Sequence, residues 1–160
     1  MEPQTIFIFI ASFIFALVAY LIPKRIRRYE LYVTALFGMA FGLFVDSILA
    51  VKYKLYVLDK PGIQLLPLIG QVVLYSTASI IVINFFPFDK PVKRKVVYIL
   101  IATLLTLLFE LLSLKFGFLK YNEWKLWYSV LCYPFLIYLL VLHYRFFQWL
   151  VKRSCGDSGE

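Results

Sequence analysis

The chain has 160 residues, of which 62% are hydrophobic and 16% charged, and its formal net charge is +8. Polar side chains are too few to coat a water-soluble globule of this size, so lipid must solvate most of the surface. The apolar stretches also take up nearly the whole length, which leaves no room within it for a soluble catalytic domain.

The first apolar stretch, Thr5 to Ile22, stays apolar on every side of a helix for about the 20 residues that a hydrocarbon core roughly 30 Å thick requires. It is read as a span rather than a cleaved leader, because Glu2 stands where a basic n-region belongs and "PKRIRRYE" follows instead of a small-residue cleavage site. Further spans are expected at about 31–50, 62–86, 96–114 and 126–150, followed by a short polar tail over 151–160. The predicted fold is an all-α polytopic bundle of about five transmembrane helices in one domain.

The positive charge is unevenly distributed. Eleven Lys and Arg residues, including all six arginines, fall in the first and third loops and at the end of the last span, against six lysines in the alternate loops. The positive-inside rule then places the N-terminus outside and the C-terminus in the cytoplasm. Orientation and anionic headgroups account for the basic residues, so no nucleic-acid partner is expected. Cys132 lies within a span and Cys155 in the tail, and His143 is the one histidine. No disulfide framework, metal site or cofactor is expected from that inventory.

Inside the spans the ionisable residues are Asp46, Glu110, His143 and Arg145. The last two lie near the cytoplasmic end of the fifth span, where Arg145 can snorkel to the interface. Counting about 1.5 Å per residue puts Asp46 about 22 Å along the second helix and Glu110 about 21 Å along the fourth, so the two carboxylates share a level near the outer boundary. Gly38 and Gly42 precede Asp46 at four-residue spacing, a small face that lets another helix approach and that also suits self-association. Thr103, Thr106 and Glu110 line one face of the fourth helix, and Gln71 and Tyr75 supply polar groups from the third. One reading has these residues around a water-accessible polar cavity that binds an ion or ligand. The other has each acid hydrated near the surface, pairing locally with Lys52 or Lys115.

Asp59 follows Asp46 by thirteen residues and Glu123 follows Glu110 by thirteen, which hints at a weak parallel repeat of a two-helix unit, helices two and three against four and five. Tyr121, Trp124 and Trp127 sit at a helix boundary, as an interfacial aromatic belt or as a lid over the cavity's outer mouth, with Gly117 and Asn122 permitting the turn.

The segment "NFFPFDKP" (Asn84 to Pro91), the Phe109-Glu110 pair, and Tyr121, Trp124 and Trp127 followed by Tyr133-Pro134 resemble a family of small multi-spanning membrane proteins of endospore-forming Firmicutes, over about residues 80–150. The resemblance implies a bacterial cytoplasmic-membrane protein connected with sporulation or germination, and implies no activity.

Three functions stay open. One is a small ion- or proton-linked transporter or channel-like subunit with a polar site at Glu110 and Asp46. Another is a non-catalytic assembly subunit of a membrane complex. The third is an intramembrane enzyme acting on a lipid or isoprenoid, with the two carboxylates as acid and base. Enzymatic activity is not the favoured expectation, because no cationic or metal-binding cluster accompanies the acids.

Overall fold

A computed structural model describes residues 2–60 and 64–156. Among these residues the chain forms five helices: α1 (Pro3–Leu21), α2 (Arg28–Asp46), α3 (Leu65–Phe85), α4 (Val92–Lys115) and α5 (Leu126–Gly156). Each is long and apolar enough to cross a membrane. Large apolar side chains such as Phe13, Leu65, Leu105 and Leu131 point outward, which in water would be prohibitive and in lipid is the normal surface. The protein is an all-α, multi-pass membrane protein.

Local chemistry explains the helix ends. Pro3 opens α1, where a missing N–H costs nothing, and Pro23 follows its end. Glu30 accepts a hydrogen bond from the Arg27 backbone N–H at 2.9 Å and so closes the start of α2. Pro87 and Pro91 bracket the turn between α3 and α4, and Gly117 leaves α4 at φ +75, a backbone conformation open to a residue without Cβ. The third span is expected from Gly62, which lies outside the described residues; the described helix starts at Leu65. The last helix runs past the expected boundary at 150 to Gly156, and 157–160 lie outside the described residues. Continuing helix is what one would expect of "VKRS", since nothing there breaks it.

Two connections are more structured than plain loops. α2 widens at Ser47–Lys52 into a π-helical turn, after which β1 (Tyr56–Leu58) pairs antiparallel with β2 (Leu119–Tyr121) from the connection between α4 and α5. Each three-residue strand is too short for its alternation to show in the sequence. The pairing puts Tyr56 opposite Tyr121. The Leu55 carbonyl also accepts the backbone N–H groups of Asn122, Glu123 and Trp124, each at 3.0 Å. An ion pair between Lys60 and Glu2 at 2.6 Å brings the chain's start to this same end of the bundle.

α3 packs against α1 on one side and α2 on the other, while α4 packs on α5 and α5 also touches α2 and α3. The α2–α3 contact depends on small residues. A Cβ on Gly38 would overlap Ser79, and a Cβ on Gly42 would run into the ring of Tyr75. Two apolar clusters fill the interior, one around Ile8, Leu74 and Phe118 and one around Ile83, Leu140, Val141 and Tyr144.

Candidate functional site

Asp46 ends the α-helical part of α2, where the π turn carries the chain back over the bundle. π-Helical turns redirect side chains in this way and often accompany functional sites. The redirected chain places Tyr56 so that its hydroxyl donates to Asp46 Oδ1 at 2.6 Å, and from α3 Tyr75 donates to Oδ2. On the other half, Tyr121 of β2 donates to Glu110 Oε1 at 2.5 Å and Ser129 of α5 donates to the same oxygen at 2.7 Å. Trp124 Nε1 in turn donates to Ser129 Oγ at 2.8 Å. Glu110 Oε2 is buried without a protein hydrogen bond of ordinary geometry, and the Tyr133 phenol stands beside this carboxylate.

These bonds are enough to hold the acids where they are. A carboxylate deep in a bilayer costs roughly 2.5–3.5 kcal/mol on insertion scales. A hydrogen bond to a charged group returns about 1.5–3 kcal/mol, so two per acid offset the cost. Tyr56 and Tyr121, outside the spans, have phenols pushed above their ordinary range, first by burial and then by Asp46 and Glu110 respectively. Both therefore remain neutral donors at any physiological pH.

Asp46 and Glu110 line one cavity of about 500 Å³ between α2, α3, α4 and α5. Thr106, Gln71, Tyr75, Gly38, Gly42 and Trp124 also line it, whereas Tyr56, Ser129 and Tyr133 are lining residues that the sequence had not singled out as site residues. Thr106 spends its hydroxyl on the Ala102 carbonyl at 2.9 Å. Thr103 is buried with an unpaired Oγ1 and is not part of the cavity wall. Tyr121 reaches the site through Glu110, and Trp127, 54% exposed, faces outward and packs at a tilt against the Tyr128 ring. The expected lid thus divides: Tyr121 and Trp124 bind the site's carboxylate network, while Trp127 belongs to the outer surface. The local pairing of the acids with Lys52 or Lys115 does not occur. Lys60 pairs instead with Glu2, and Lys52 lies over the Tyr53 ring.

No Lys, Arg or His is among the lining residues, and no group of three His, Cys, Asp or Glu side chains converges among the described residues. Another buried acid, Glu30, sits at the far end of the bundle and accepts from Tyr144 at 3.1 Å and Gln148 at 3.3 Å. Its position in the first turn of a helix, with a capping bond, marks it as an anchor between α2 and α5. Asn84 similarly ties α3 to the turn after α1, accepting from Arg25 N at 2.8 Å and donating to the Pro23 carbonyl at 3.0 Å.

Comparison with protein-family models, with curated proteins and with solved structures finds no match to this chain.

Proposed function

We propose that this protein is a small transporter or channel-like subunit of the bacterial cytoplasmic membrane, with an intramembrane cation site at Glu110 and Asp46. The observation that carries the reading is the presence of two carboxylates in one cavity whose lining, among the described residues, includes no basic side chain. Two acids supported only by neutral hydroxyls leave a negative site in a low-dielectric setting, where a cation or proton is the complementary occupant. In this reading the N-terminus and the β1–β2 pair face outward and the arginine-rich turns face the cytoplasm.

The test is cation and proton flux into sealed liposomes containing the purified protein, for wild type, Glu110→Gln and Asp46→Asn, with thermal melts of each. Flux in wild type that falls at least tenfold in folded variants is the expected result. Absence of flux from folded wild-type protein would overturn the reading and favour an assembly subunit of a larger complex.

A further inference from the structure

The charge of the site and the size of its container call for different parts of one ligand. A bare inorganic ion needs a few oxygens at short range, not a cavity of about 500 Å³ walled largely by side chains such as Phe41, Leu74, Ile137 and Leu140. Cavities of this size and lining are typical of organic molecules of roughly drug-like bulk. The polar groups are concentrated around Asp46 and Glu110, and they share that region with the rings of Tyr56, Tyr75, Tyr133 and Trp124. Aromatic faces beside carboxylates attract an organic ammonium both through the ring quadrupole and through charge.

A further observation points to a missing partner. Gln71 is 7% exposed, lines the cavity, and its side-chain amide makes no hydrogen bond among the described residues. Most buried amides are satisfied, so one facing an open cavity is available to a ligand. Glu110 Oε2 has no hydrogen bond of ordinary geometry among the described residues and only the Tyr133 phenol beside the carboxylate, so acceptor capacity on each side chain remains for an ammonium N–H.

We propose that the cavity binds a lipophilic organic cation, an amine protonated at neutral pH, with its ammonium between Glu110 and Gln71 and its apolar body against the aromatic and aliphatic walls. The proposal rests on the cation-site reading and adds the ligand class. The test uses full-length protein in lipid nanodiscs, with empty nanodiscs correcting for partition, and compares 4-phenylbutylammonium with the neutral 4-phenylbutan-1-ol by calorimetry. The expected result is binding of the ammonium at least tenfold tighter than of the alcohol. In Glu110→Gln that preference falls towards parity, and in Gln71→Leu, which removes no protein hydrogen bond and so should fold, ammonium binding weakens several-fold. Equal binding of the two compounds, no binding of either, or an undiminished ammonium preference in Gln71→Leu would overturn the proposal. Carboxylate-dependent flux of sodium, potassium or protons in the liposome assay, with no ammonium preference, would overturn the ligand class while leaving the cation site standing. Loss of both would overturn the two together.

Discussion

Four hydroxyl–carboxylate bonds hold the site together, and each can be removed one atom at a time. Tyr75→Phe leaves Asp46 Oδ2 without its donor in a packed environment, and should lower stability by about 1–3 kcal/mol in denaturant or thermal unfolding, with little change in shape. Tyr56 gives a pH signature. Its folded phenol is held above the ordinary value of about 10 by burial and by Asp46, so its contribution is complete below that pH and is lost progressively as pH rises above it. Melting temperature should therefore decline above about pH 10, and less steeply in Tyr56→Phe than in wild type. At this scale the sequence was half legible. The rise per residue of a helix places Asp46 and Glu110 at one level without any structure, because both helices enter from the same side. Their partners were hidden for a physical reason: Tyr56 lies on a connection whose path is set by the π turn, and Ser129 and Tyr133 lie on a helix whose rotation composition does not determine.

Between elements, the tightest requirement is the close approach of α2 to α3. Gly38→Ala should force Ser79 and the backbone near Tyr75 to move, and Gly42→Ala should displace the very ring that donates to Asp46. Each should cost about 1–3 kcal/mol by overpacking. Gly42→Ala should in addition weaken any ligand that uses the site, which a binding or flux measurement beside a melt would separate from simple instability. The four-residue spacing of these glycines is plain in the sequence, since small residues in membrane helices mark close contacts. The strands were not legible, because three residues of backbone pairing leave almost no periodic trace, and their cue was only the aromatic residue that each carries. The order helix, strand, helix does recur in the two halves, with a carboxylate in the last two turns of the first helix and a tyrosine on the strand reaching back to it.

For the molecule as a whole, the β1–β2 pair fastens the two halves at one end, directly above the carboxylates. Val57→Cys with Lys120→Cys, directly opposite in the ladder, should form a disulfide on mild oxidation, since paired strand residues stand about 4.5–5.5 Å apart at Cα. If the halves separate during turnover, oxidation should raise the melting temperature and suppress flux, with recovery on reduction; unchanged flux in the cross-linked protein would show a clasp that stays closed. The outer surface and the number of crossings were fully legible, because hydropathy over some twenty residues is a property of composition alone. Which helix neighbours which was not, and that has a consequence for how the protein is made. α1 contributes nothing to the cavity wall and packs chiefly on α3, where Ser12 donates to the Gly70 carbonyl at 2.7 Å. A ribosome threading this chain into a bilayer releases α1 two helices ahead of its principal neighbour, so the nascent first helix must wait in lipid until α3 arrives, and the binding chamber closes only when α5, the last helix to contribute to its wall, has been inserted.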